Sequence, residues 1–156
     1  MTWLIQNTNL RWTGFCLTPA PSQQYAGWMG KREFLEGLGW GFAPVYVGQQ
    51  TVQSSPDSSH ELTAEQGRID AQEAATLAKK AGFPDGTNIF LDIEQGPESA
   101  DQTVGPEMIA YSLAWVDEMS INTSYHPRRI LFIFGGRRRV PERRRPSGVL
   151  GFSCDV

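Results

Sequence analysis

Short apolar runs that alternate with longer helical patterns are the feature of this sequence that most constrains its fold. Four runs of strand length carry this signal: Trp12–Thr18, Gly41–Gly48, Asn88–Glu94 and Arg129–Phe134. Strands that alternate with helices are typical of repeated βαβ units, because parallel neighbours need a crossover connection. The sequence therefore predicts an α/β fold with a mostly parallel sheet. Pro44 has no N–H for a ladder, so we expect it at the start or at an edge of its strand.

Three stretches between these runs have the periodicity of amphipathic helices: Trp28–Leu38, Thr63–Ala81 and Pro106–Met119. Thr63 and Gln66 have the spacing of a capping box, and Gly82 supplies a stop signal. Apolar residues at helical spacing predict which faces are buried. In the second and third helices these residues are Ile69, Ala74, Leu77, Ala78, Ala81, Met108, Ile109, Leu113 and Val116.

Charge is distributed unevenly along the chain, although the net charge is only −3. Residues 1–126 carry six Lys or Arg against 15 Asp or Glu, whereas residues 127–156 carry eight Arg against two acids. This asymmetry predicts a domain at 1–126 and an arginine-rich, disordered or divergent tail at 127–156, with one further strand at 129–134. No aromatic residue is interleaved with the arginines at 137–145, so we expect no specific nucleic-acid partner.

Several signals are absent from the sequence. The N-terminus lacks the basic and apolar regions of a secretory signal, and no apolar run approaches the roughly 20 residues of a membrane span. These absences favour a cytoplasmic location by default and no transmembrane segment. Cys16 and Cys154 lie outside any C-x-x-C spacing, and His60 and His126 lack ligand spacing, so we expect no metal site and no cofactor.

Asp92 and Glu94 are the strongest candidates for chemistry. They lie two apart on a predicted strand, so their side chains share one face about 6.6 Å apart, while Leu91 and Ile93 take the apolar face. Two carboxylates at this separation suit glycoside hydrolysis, in which one is protonated and the other ionised. The same pair could also bind a divalent cation, or form a solvated cluster at a strand end. The spacing alone leaves these three interpretations open.

Tyr46, Gln49 and Gln50 follow the end of the second predicted strand. An aromatic ring can stack on a sugar, and side-chain amides can donate and accept hydrogen bonds with hydroxyl groups. These residues are therefore candidates for binding a polyhydroxylated ligand. Packing and loop capping account for them nearly as well.

Three segments together resemble a bacterial glycoside-hydrolase-like domain of unknown function, a TIM-barrel family related to lysozyme-type muramidases. The segments are Gly14–Ser22, Gly39–Gln50 and Ile89–Glu94, and Leu62–Phe83 between them is also similar. The resemblance covers Trp12 to Trp115. Because a complete barrel needs about 250 residues, it implies an incomplete (β/α) TIM-type barrel of about four β/α units in this 156-residue chain.

The resemblance also implies a function. It makes Glu94 the general acid and Asp92 its electrostatic partner, in a domain that acts on or binds peptidoglycan or a similar polysaccharide, weakly or not at all as this truncated chain. It implies an exported or cell-wall-associated protein. Muramidase-like relatives place an Asp near the end of the first strand, where this sequence has Cys16, Leu17 and Thr18. A non-catalytic carbohydrate-binding or interaction module and a non-functional fragment are the alternatives.

Overall fold

A computed structural model describes residues 2–19, 27–48, 62–95 and 105–133, with the backbone alone described at 94–95 and 129–133. The elements in chain order are α1 (Thr2–Asn7), β1 (Trp12–Cys16), α2 (Arg32–Gly37), β2 (Gly41–Val47), α3 (Ala64–Lys80), β3 (Asn88–Gln95), α4 (Pro106–Asn122) and β4 (His126–Ile133). The four strands form one sheet in the order β1-β2-β3-β4, and every neighbouring pair is parallel. The predicted α/β fold with a parallel sheet is confirmed. The part of the chain that the structure describes forms an open sheet, consistent with an incomplete barrel.

Strand β4 begins earlier than its apolar run predicts. It pairs with β3 over its whole length, from Asn88 opposite His126 to Gln95 opposite Ile133. The predicted boundary between residues 126 and 127 therefore falls at the first residue of a strand that belongs to the sheet. The division into a domain and a tail stays a prediction, since residues 134–156 lie outside the described part.

Pro44 lies inside β2, which has a neighbouring strand on each side, so its predicted place at a strand start or edge is wrong. The Val45 carbonyl accepts a hydrogen bond from Leu17 N–H, on the β1 side, at 2.8 Å. Because backbone groups alternate in direction along a strand, the position of the missing Pro44 N–H faces β3. The register between β2 and β3 begins only at Val45 opposite Phe90, so the missing donor lies just before that ladder starts.

The core forms between one face of the sheet and the helices α3 and α4. The sheet contributes alternate residues, which all point to this side because side chains alternate along a strand. These residues are Phe15, Leu17, Tyr46, Ile89, Leu91 and Ile93. Leu91 and Ile93 are both buried, as their position on the apolar face predicted.

Helix α3 begins as its capping signal predicts. Thr63 is the N-cap, and its hydroxyl oxygen accepts a hydrogen bond from Gln66 N–H at 3.1 Å. Its buried face consists of small residues and one acid, namely Gly67, Asp70, Ala71, Ala74 and Ala78. Ile69 is 51% exposed, so its predicted burial is wrong. Small side chains allow α3 to approach α4 closely. A residue as large as Ile69 on the buried face would prevent this close approach.

Helix α4 is rotated relative to the prediction. Met108 is buried as expected, but Ile109 and Leu113 are each 47% exposed. Larger aromatic side chains occupy the buried face instead, at Tyr111 and Trp115, each 0% exposed. The apolar content of this helix extends around much of its circumference, so periodicity alone did not identify the inward face.

The first two helices are short. Helix α2 covers only Arg32–Gly37, because Gly30 has a φ of 76° and interrupts the predicted helix. Before that point, the Trp28 indole N–H donates to the Cys16 carbonyl at 2.7 Å. Helix α1 has no buried residue and was not predicted.

Candidate functional site

The carboxyl ends of β2 and β3 meet at one edge of the sheet. Gly48 directly follows β2, and its N–H donates to the Asp92 carbonyl oxygen at 3.0 Å. Val47 lies opposite Asp92 in the register of the two strands. This edge is where β/α enzymes place their reactive groups, because the loops after parallel strands converge there.

Asp92 is 4% exposed and lies on the face of β3 opposite to Leu91. It therefore faces away from α3 and α4, on the side that corresponds to the interior of a barrel. A carboxylate is rarely buried to this extent without specific partners or a function, because removing it from water is costly. A solvated cluster at the strand end was one of the three interpretations that the sequence left open. The burial of Asp92 does not fit that interpretation.

Glu94, Gln49 and Gln50 complete the predicted site. Backbone pairing places Glu94 two residues beyond Asp92 on β3, opposite Phe132 of β4. Its side chain and both glutamines lie outside the described part of the structure. Their roles in a site stay predictions.

Tyr46 lies on the other face of the sheet. It pairs in register with Leu91, and its hydroxyl donates to Glu73 Oε2 of α3 at 2.6 Å. Burial raises the pKa of Tyr46 well above its ordinary value, and this hydrogen bond is the second largest cause of the increase. The structure therefore does not bring Tyr46 together with Asp92, and its hydroxyl already has a partner in the helix layer.

A polar cluster lies beneath this edge, between the sheet and the two long helices, and we define it as Tyr46, Gln66, Asp70, Glu73 and Tyr111. Asp70 is 2% exposed and accepts hydrogen bonds on both oxygens, from Tyr111 Oη–H at 2.5 Å and from Gln66 Nε2–H at 2.7 Å. The sequence analysis did not identify this cluster. The signal was present, because Gln66, Asp70 and Glu73 recur at helical spacing along one side of α3, with only Asp70 fully buried.

Among the residues described, no three His, Cys, Asp or Glu side chains converge on a point where they could hold a metal ion. Within the same residues, none of the helices has the length and apolar character needed to cross a membrane.

Comparison with known proteins assigns this chain to a glycoside hydrolase-like class of domain. Residues 30–127 match the family described as Rv2525c-like, glycoside hydrolase-like domain. The match covers more than half of the 156-residue chain and includes both Asp92 and Glu94. The chain belongs to this family.

One solved structure shares the fold, an uncharacterized B. stearothermophilus protein whose crystal structure was determined at 1.07 Å. The TM-score is 0.56 at 19% sequence identity, over 78% of this chain. The chain spans about half of that protein, 48% of its length. No curated protein matches the chain.

Proposed function

We propose that this domain binds and hydrolyses cell-wall polysaccharide at the edge formed by the carboxyl ends of β2 and β3, with Asp92 and Glu94 as its acidic pair. The observation that carries the proposal is a buried carboxylate, Asp92, at the carboxyl end of a parallel strand in a glycoside hydrolase-like chain. Peptidoglycan is the proposed ligand because the sequence resembles muramidase-related domains.

Each member of the pair has a proposed role. Glu94 donates a proton to the leaving glycosidic oxygen, and Asp92 stabilises the positive charge that develops on the sugar ring. The burial of Asp92 supports its role, since a carboxylate acts more strongly on nearby charge where water is excluded. Gln49 and Gln50 supply amides for sugar hydroxyls, whereas Tyr46 supports β2 from the helix side.

Glycan binding without turnover is the second candidate. It is favoured by the end of β1, where Trp12–Pro19 provide no carboxylate and Leu17 is buried in the core. A site whose carboxylates come from β3 alone, with none from the end of β1, can still bind hydroxyl groups through Asp92. It lacks the additional acid expected from muramidase-like domains.

The two candidates are separated by incubating the purified chain with purified peptidoglycan. Reducing ends released into solution report hydrolysis, and co-sedimentation reports binding. Hydrolysis that is lost in Glu94→Gln supports the catalytic pair, because the amide preserves shape but cannot donate a proton. Binding without released ends, weakened by Asp92→Asn, supports the second candidate.

Matched controls keep the charge change but move it away from the edge. Glu33→Gln lies on α2 and Asp117→Asn on α4, and both native side chains are exposed. These controls should behave like the unmodified chain. Absence of both binding and hydrolysis in the unmodified chain, or equal effects of the site and control variants, would reject the proposed function.

A further inference from the structure

Asp70 and Tyr111 lie in the helix layer, outside the acidic pair, and the Tyr111 hydroxyl reaches the backbone that follows β2. Tyr111 is 0% exposed on α4, and its hydroxyl donates to Asp70 Oδ2 on α3 at 2.5 Å. Gln66 holds the second Asp70 oxygen at 2.7 Å. Asp70 and the Tyr111 ring therefore occupy fixed positions relative to both helices.

The Tyr111 hydroxyl also packs against the backbone that follows β2. A Cβ added at Gly48 would lie 3.0 Å from Tyr111 Oη and 2.7 Å from Leu91 Cδ1. A side chain at position 48 would therefore require Leu91 or Tyr111 to move, so Gly48 packs directly against these two side chains. Gly48 in turn donates its N–H to the Asp92 carbonyl at 3.0 Å.

We infer that Asp70 and Tyr111 are positioning residues, which fix the backbone at Gly48 and Asp92. They thereby fix the geometry of the carboxyl ends of β2 and β3, which we call the glycan edge. The effect is transmitted by contact: Asp70 orients the Tyr111 hydroxyl, the hydroxyl supports Gly48, and Gly48 holds the carboxyl end of β3. The inference rests on the proposed function only for the identity of the ligand. The positioning itself is a property of the backbone and can be measured without a ligand.

Tyr125 offers a matched control for Tyr111. It is also a buried tyrosine, 3% exposed, and its hydroxyl donates to the Phe83 carbonyl at 2.9 Å. It immediately precedes β4, so it lies at the amino ends of the strands, opposite to the edge of Asp92. Tyr111→Phe and Tyr125→Phe each remove one buried hydroxyl, and only the first removes the group beneath Gly48.

The test is residue-resolved amide hydrogen exchange under native conditions, with global stability measured in parallel. Tyr111→Phe should accelerate exchange of the Gly48 amide about tenfold, because it removes the buried Tyr111–Asp70 hydrogen bond that supports Gly48. Tyr125→Phe should leave this exchange unchanged. Asp70→Asn should act in the same direction, because an amide cannot accept both of the hydrogen bonds that the carboxylate accepts. Unchanged Gly48 exchange in Tyr111→Phe, or equal acceleration in Tyr125→Phe, would overturn the inference.

A second readout connects the positioning residues with the ligand. In co-sedimentation with purified peptidoglycan, Tyr111→Phe should weaken binding by about fivefold to tenfold, and Tyr125→Phe should leave it unchanged. If the unmodified chain does not bind peptidoglycan, the proposed function fails, and the exchange of Gly48 still decides the inference. If the chain binds but Tyr111→Phe binds equally well, the positioning role at the ligand edge is rejected.

Discussion

Gly67→Ala tests the close approach of α3 and α4 on which the polar cluster depends. A Cβ at position 67 would overlap the Tyr111 carbonyl oxygen and lie 3.2 Å from Trp115 N. Both atoms belong to the backbone of α4, so relief requires the helices to separate. Overpacking costs about 1–3 kcal/mol, and we expect the upper value because no flexible side chain can yield. Alanine recovers about 1 kcal/mol of helix propensity, which leaves a net loss of about 2 kcal/mol.

The assay is thermal unfolding followed by circular dichroism. For a chain of this size, the expected loss lowers the midpoint by about 4–8 °C. Gly37→Ala is the matched control, because it also lies in a helix but its Cβ would meet nothing within 4 Å. That variant should have an unchanged or slightly higher midpoint. A Gly67→Ala midpoint equal to or above that of the unmodified chain would refute the close-packing argument.

Three further predictions concern other parts of the chain. Thr63→Ala removes the hydroxyl that accepts a hydrogen bond from Gln66 N–H, so urea unfolding should show a free energy of unfolding that is lower by about 1 kcal/mol. Burial and Glu73 raise the pKa of Tyr46 above its ordinary 10.0, so its contribution to stability is complete below that pH and is lost as the pH rises further. Phenolate absorbance in an alkaline titration should therefore include a step that coincides with unfolding, and Tyr46→Phe should reduce the amplitude of that step by one tyrosine. Deletion of residues 137–156 should leave the thermal midpoint nearly unchanged, and a large decrease would contradict the predicted division of the chain.

The four strands were accessible from the sequence because strand signals are short and local. Leu91 and Ile93 alternate with Asp92 and Glu94, and this alternation fixed the buried face of β3 correctly. The N-cap at Thr63 was equally local, since a hydroxyl three residues before an N–H that has no partner inside the helix is a common start signal. Pro44 was placed incorrectly because the effect of a missing N–H depends on where the neighbouring ladder begins.

The helix faces and the polar cluster were less accessible. Apolar periodicity favoured Ile69 and Leu113, but the interface between α3 and α4 is defined by the close approach at Gly67 and by the bond between Asp70 and Tyr111. That bond joins residues 41 positions apart, and no local pattern encodes it. Tyr46 was assigned to a ligand because it ends a strand, although its register with Leu91 directs it to the helices.

The most direct test of the glycan edge is an NMR titration of the purified chain with soluble peptidoglycan fragments. We expect the largest shifts at the backbone amides of Gly48 and Asp92 to Gln95, at the carboxyl ends of β2 and β3. The amides of Gly86 and Tyr125, at the opposite ends of the strands, should not shift. Shifts confined to those opposite ends or to the outer faces of α3 and α4, with none at Gly48 and Asp92, would contradict the assignment of the site.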